Sequence, residues 1–289
     1  MRLAQFRDAD GRRAVAVSHA DGHRVLDEIE TVYELVLAAL EAGDSLSKTA
    51  SSFQSARTVD LDAAEREGRL LPPLEHPVPT RCWVTGSEGA TAPTADPAAA
   101  SWFFRGSGST LVAAGQPLPV PGFAPSGLPV PQLAGLYVIA DDGVPCQVGW
   151  SLAHPIVDRA LASGGGAGHA RLRATAIGPE ILLGELPKVV PATTRILRGS
   201  KVVAEQSFDL GSGAMARGFA DLARDHFRYG MHRRPGDVHV HCFGSGAAIT
   251  SIDAATPDQV FELACPPLGR PLRNRVATID MATPAVRVL

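Results

Sequence analysis

The chain has 289 residues, 45% of them hydrophobic and 20% charged, with a formal net charge of −3. This is the balance of a globular protein long enough to bury a sizeable core. It excludes general electrostatic binding to nucleic acid or to an anionic membrane as the main role, and no apolar run approaches the roughly 18 residues of a membrane span. The opening Met1-Arg-Leu-Ala-Gln-Phe-Arg-Asp8 has no hydrophobic core of the signal-peptide kind. Cys82, Cys146, Cys242 and Cys265 are widely spaced and form no C-x-x-C pair. They read as reduced thiols of a cytoplasmic protein rather than as a zinc ribbon or redox motif.

In chain order, Arg13–Ser18 and Gly22–Leu26 alternate as the two arms of a hairpin. Residues 29–42 then place Ile29, Val32, Leu35, Val36, Ala39 and Leu40 on one helical stripe that Gly43 ends. Pro72-Pro73 and Pro77-Val-Pro79 form a stiff linker, which predicts a small leading α/β domain over residues 1–75 and a second domain over 76–289. Beyond the linker lie many short β-like segments punctuated by Pro and Gly, so the fold class is α+β with a mixed, β-rich main body. Ser163-Gly-Gly-Gly-Ala-Gly168 reads as a mobile loop. A clear helix is predicted over Met215–Arg228, with Met215, Phe219, Leu222, Ala223 and His226 on its apolar stripe.

The chemistry-bearing residues gather after that helix. Arg228, Tyr229, His232 and Arg233 follow His226 closely, and an arginine fork matches a carboxylate in bidentate geometry. One of these arginines would otherwise cap the helix C-terminus. A strand comes next, on which Asp237, His239 and His241 alternate with Val238, Val240 and Cys242. Side chains of a strand alternate faces, so the acid and both imidazoles project together. This set reads as acid-base machinery, as a solvated sheet face, or as a metal triad of Asp237, His239 and His241. The chain carries no G-x-S-x-G elbow, G-x-G-x-x-G turn or Walker pattern.

Several segments, in order, carry a family likeness. They are Met1–Phe6, Leu70-Leu-Pro-Pro-Leu74, Trp102-Phe-Phe-Arg-Gly-Ser-Gly108, Gln132-Leu-Ala-Gly-Leu-Tyr-Val-Ile139, Ile177-Gly-Pro-Glu180 with Gly184-Glu-Leu-Pro187, His226–Gly244, and Gly269-Arg-Pro-Leu-Arg-Asn274. Together they resemble the fumarylacetoacetate hydrolase superfamily, and within it the branch of sugar-acid 2-oxo-acid dehydratase-like proteins. The resemblance implies a fumarylacetoacetate hydrolase-like fold, a homodimer, and a small-molecule partner, with no nucleic acid and no membrane.

Departures from the family pattern bear on mechanism. The resemblance implies a divalent metal held by a Glu-x-Glu pair and a later Asp or Glu. Val130 and Gln132 stand at the first two positions, and His154-Pro155 at the third. A hard cation wants anionic oxygens, so neither metal nor other cofactor is expected. The segment after Cys82-Trp-Val-Thr-Gly86 that should supply a catalytic histidine contains none before Trp102, and Arg171 replaces an expected lysine within His169-Ala-Arg-Leu-Arg173.

Taken with these departures, the resemblance implies a metal-independent enzyme of specialised metabolism. It would act on a small oxo-acid or related carbonyl compound by dehydration, lyase, cyclisation or isomerisation chemistry. His154 and His226 would carry protons. Arg171, Arg233 or backbone amides would hold enolate charge, and His239 and His241 would serve beside them. Gln132, Arg105, Glu180, Arg173, Tyr229, Gly244 and Ser245 would bind substrate, the last two in a turn similar to the family's Gly-Thr-x-x-Gly. One pocket is expected, bordered by the Gln132 strand, His154, Arg171–Arg173 and the His239–His241 strand. A non-catalytic binding protein and a metal enzyme with relocated ligands are the alternatives.

Overall fold

Strand-forming alternation begins almost at the N-terminus. The computed structural model describes residues 1–88, 101–123, 126–215, 217–244, 254–280 and 284–288. In it β1 (Arg2–Arg7), β2 (Arg13–His19), β3 (Gly22–Leu26) and β4 (Gln54–Val59) form an antiparallel meander. Between β3 and β4 lie α1 (Val32–Ala42) and α2 (Leu46–Ser52), and α3 (Leu61–Arg66) follows β4. The predicted stripe is largely met: Val32, Leu35, Val36 and Ala39 are buried. The helix starts later than expected because Thr31 caps it in a capping box with Glu34, which leaves Ile29 buried just outside. Gly43 ends it in the left-handed conformation, with φ 65°.

The middle of the chain contributes β5 (Cys82–Glu88), β6 (Ser101–Ser107), β7 (Leu111–Val112), β8 (Leu118–Pro121), β9 (Gly127–Pro129), β10 (Gln132–Ile139) and the long β11 (Pro145–Asp158). Two short helices, α4 (Arg159–Ser163) and α5 (Ala167–Ala170), then flank the glycine run. The run predicted as one mobile loop is therefore a turn between two helices, whose second helix takes in Ala167 and Gly168. After them come β12 (Thr175–Ile177), β13 (Glu180–Leu182), β14 (Val190–Arg198), β15 (Lys201–Leu210), α6 (Phe219–Phe227), β16 (Val238–Gly244), β17 (Gln259–Ala264) and β18 (Leu272–Ile279). α6 begins after Met215 because Gly218, in extended backbone, is its N-cap.

Among the described residues the main sheet runs in the order β4-β3-β2-β1-β13-β11-β10-β16-β5-β6, and a second sheet in the order β15-β14-β17-β18-β8. Strand pairing crosses the boundary expected near residue 75. β1 pairs antiparallel with β13 at Arg2↔Leu182, and β13 pairs with β11 at Trp150↔Leu182. The leading segment thus shares one continuous sheet with the main body, and the proline-rich linker does not separate two sheets.

That junction is closely fitted. Gly149 has φ 159°, and a methyl group there would press on the Leu182 carbonyl oxygen and lie 2.6 Å from Ile181 Cγ2. One apolar cluster, with Leu133, Trp150, Leu152, Ile156 and Phe243, fills one face of β10–β11–β16. A second, with Ala134, Leu136, Val138, Ala153, Val240 and Cys242, fills the other. No helix among the described residues is long and apolar enough to cross a membrane.

Glu180 belongs to this junction. Its carboxylate accepts hydrogen bonds from Arg2 Nε at 3.2 Å, from the Arg270 backbone N–H at 2.7 Å and from the Ser18 hydroxyl. Glu180, expected from sequence to bind substrate, thus ties β1, β2 and the Gly269 turn to β13. Glu180→Ala leaves the Arg270 N–H without its acceptor, so a loss of about 1–3 kcal/mol is expected. The check is a lower urea midpoint at unchanged m value.

Candidate functional site

Register decides which polar side chains can meet. β10 pairs antiparallel with β16 as Gln132↔Gly244, Gly135↔His241 and Tyr137↔His239. Directly opposed residues share a face and the period is two. Gln132 and Gly244 therefore project on one face, and His239 and His241 on the other. The single pocket expected around all of them divides into two polar groups on opposite sides of the sheet.

The first group lies at the Gln132 end. Gln132 is buried, and its Oε1 has no hydrogen-bond partner among the described residues. Arg105, on β6, is 2% exposed and donates from Nη1 to the carbonyls of Ile156 at 3.3 Å and Arg171 at 3.4 Å. Gly86 makes room for it, since a methyl there would lie 2.9 Å from Arg105 Nε. The Arg105 and Arg171 guanidinium carbons stand 5.2 and 4.2 Å from the centroid of the same Phe103 ring. Arg173 is buried, donates to the His169 and Leu172 carbonyls, and has Nη2 3.7 Å from Asp158 Oδ2. Burial alone would raise the Asp158 carboxyl, but hydrogen bonds from Ser126 and Leu161 N–H, with Arg173 nearby, outweigh it and hold the group below the usual range. Asp158 escaped the sequence reading, although its place ahead of the helical Arg159-Ala-Leu-Ala-Ser163 marks it as an N-cap. Ser245 falls outside the described residues.

His154 joins neither group as a proton carrier. It is fully buried on the face of Leu152 and Ile156, and neither ring nitrogen has a hydrogen-bond partner among the described residues. Burial pushes it down to about 3, so it is neutral at working pH and cannot exchange a proton there by titration. The sequence suggests a histidine titrating near neutrality; burial among apolar neighbours moves this one downward. Arg233 and Tyr229 are exposed. Arg233 lies with Arg224 and Arg228 at a groove of about 350 Å³ lined also by Tyr137 and Phe227.

The second group is a buried cluster of four histidines between α6 and the sheet. His226 Nε2 and His239 Nδ1 are 3.2 Å apart. His232 stacks on His226, with ring centroids 4.0 Å apart, and its Nδ1 donates to the His226 carbonyl. His241 meets the His226 ring at 4.4 Å. Trp83 stacks on His239, and the Trp102 edge contacts His226 and His232. Burial first, then the neighbouring imidazoles, pushes His226 down to about 2; burial and His232 push His239 to about 3. The same causes hold His241 well below its ordinary value. Asp237, the acid expected beside His239 and His241, is engaged elsewhere: it accepts from Arg81 Nε at 2.8 Å and Trp83 Nε1 at 3.1 Å. His226, thirteen residues upstream of His239 and on a different element, takes its place in the cluster.

No protein-family model matches the chain, and no curated protein sequence does. Solved structures do. One is "2-keto-3-deoxy-D-arabinonate dehydratase apo form", with a TM-score of 0.74 at 16% identity over 96% of this chain and 99% of that one. Another is the same dehydratase "complexed with magnesium and 2,5-dioxopentanoate", with a TM-score of 0.73 at 17% identity over 97% of this chain and 100% of that one. A third is 2-hydroxyhepta-2,4-diene-1,7-dioate isomerase from Mycobacterium marinum, with a TM-score of 0.66 at 16% identity over 96% of this chain and 98% of that one. At these identities the likeness is one of fold.

Proposed function

Because this chain has the fumarylacetoacetate hydrolase-like fold, we propose that it is a lyase or isomerase acting on a small 2-oxo-acid or related carbonyl compound. A fold alone hosts many chemistries. The observation that carries the reading is the set of buried Arg105 and Arg173 and half-buried Arg171, grouped around Phe103 and the Asp158 end of β11, on the sheet that also presents Gln132 Oε1, which has no hydrogen-bond partner among the described residues. Three guanidinium groups suit an anionic substrate, and two of them lie over the same Phe103 ring. Names of the similar structures, dehydratase and isomerase, support the reaction class.

A magnesium-type ion does not fit the family positions of this chain. They offer the Val130 side chain, one amide oxygen from Gln132, the enclosed imidazole of His154 and the ring of Pro155. No carboxylate stands there to neutralise a hard cation, so no step is routed through one. The described residues at this end contribute anion binding and charge stabilisation. Developing enolate charge would face fixed guanidinium groups that need no reorganisation.

The test is a panel of 2-oxo-acids, assayed for loss of water and for isomerisation, with EDTA and with added magnesium. Turnover that persists in EDTA is expected. Arg171→Ala should raise KM about 10–100-fold, the loss of one charge-assisted hydrogen bond of about 1.5–3 kcal/mol, while Arg228→Ala on the exposed side of α6 should not. Absence of turnover across the panel overturns the enzymatic reading, and strict dependence on magnesium overturns its metal-free part.

A further inference from the structure

The histidine cluster is more than a stack of aromatic rings. One ring nitrogen from each of His226, His239 and His241 lies within 4.8 Å of those of the other two, and all three residues are buried. Four-coordinate zinc with Zn–N bonds of about 2.0–2.1 Å sets its ligand nitrogens about 3.4 Å apart. His226 Nε2 and His239 Nδ1 already stand 3.2 Å apart, and a modest turn of the His241 ring closes the third side. His241 Nε2 is buried and has no hydrogen-bond partner among the described residues. A purely structural cluster would be expected to satisfy such an atom.

We propose that His226, His239 and His241 bind a first-row transition-metal ion of the zinc class. The donor set selects the ion. Three imidazoles without carboxylate or thiolate suit zinc, cobalt, nickel or copper and are poor ligands for magnesium or calcium. The nearest acid on the strand, Asp237, is occupied by Arg81 and Trp83, so three protein ligands leave a fourth position for water or a small exogenous ligand.

The ion would join α6, which carries His226, to β16, which carries the other two, and so hold the helix against the sheet. This site faces away from the Gln132 end. It is distinct from the family's carboxylate positions and stands or falls independently of the oxo-acid reading.

The experiment uses the full chain, stripped of metal with a strong chelator and titrated with Co(II), then with Zn(II). Expected are one Co(II) per chain, visible d–d bands of a four-coordinate nitrogen site that zinc abolishes, and a higher thermal midpoint with zinc. His226→Gln and His241→Gln should each weaken Co(II) binding by more than the roughly 10–100-fold that changes around a ligand cost. Absence of d–d bands in the wild type overturns the proposal, as does retention of the bands at unchanged affinity in the folded variants. If neither variant folds, the wild-type titration alone decides.

Discussion

Gly149→Ala should cost the protein roughly 2–5 kcal/mol, from about 1–3 for forced overpacking and about 1–2 for a side chain at positive φ. The methyl group would press on the Leu182 carbonyl oxygen and Ile181 Cγ2 where β11 and β13 pair. Backbone cannot yield there without opening the seam that connects the N-terminal meander to the rest of the main sheet. Since a domain is stable by only about 5–15 kcal/mol, the thermal midpoint should fall on the order of 10 °C, and soluble yield should fall with it. Gly199→Ala is the control. It also sits at positive φ, 60°, but nothing lies within 4 Å of its new methyl, so it should show only the smaller backbone cost. Equal losses in the two variants would mean that the close approach at the seam is unimportant.

His154 should make the fold acid-sensitive. Its folded value is about 3 against an ordinary 6.5, so the unfolded chain binds a proton that the folded one refuses. The contribution of the neutral imidazole is fully present above pH 6.5 and is lost progressively as the pH falls toward 3, at up to about 1.4 kcal/mol per pH unit. Burial is the sole cause of the shift, with no charged partner among the described residues to offset it. His154→Leu removes two unpartnered nitrogens and should add about 1–3 kcal/mol at pH 7. The advantage should widen at pH 5, as read from urea midpoints at the two pH values. Identical pH slopes for the two proteins would show that His154 does not titrate with unfolding. Catalysis should survive the substitution, contrary to the proton-carrier role that the sequence suggested.

Local features were legible in the sequence. The hairpin, the Gly43 helix stop and the alternation of Asp237, His239 and His241 each depend on a few neighbouring residues, and the ordered motifs pointed to the fold. What escaped were relations that only register creates. Gln132 and His241 looked like neighbours around one pocket, yet the pairing of Gln132 with Gly244 puts them on opposite faces. Asp237 looked free to ligate, yet Arg81 and Trp83, far away in sequence, hold it. The tie from Glu180 to Arg2 and to the Arg270 N–H, which the pairing of β1 with β13 helps to create, was equally invisible in the sequence. Arg105 and Arg171 share the Phe103 ring although 66 residues separate them, a convergence that no periodicity announces.

The strand order also dictates how the chain must assemble as it is made. β16 is inserted between β10 and β5, both of which leave the ribosome long before it does. At synthesis rates of about 5–20 residues per second, β5 waits on the order of ten seconds for its parallel partner, and β1 somewhat longer for β13. During that interval β5, β10 and β1 present unpaired apolar edges, the kind that pair with other chains. Such a nascent chain is a natural client for a ribosome-associated chaperone, and a product that stops before Val238 should aggregate rather than persist as a folded fragment.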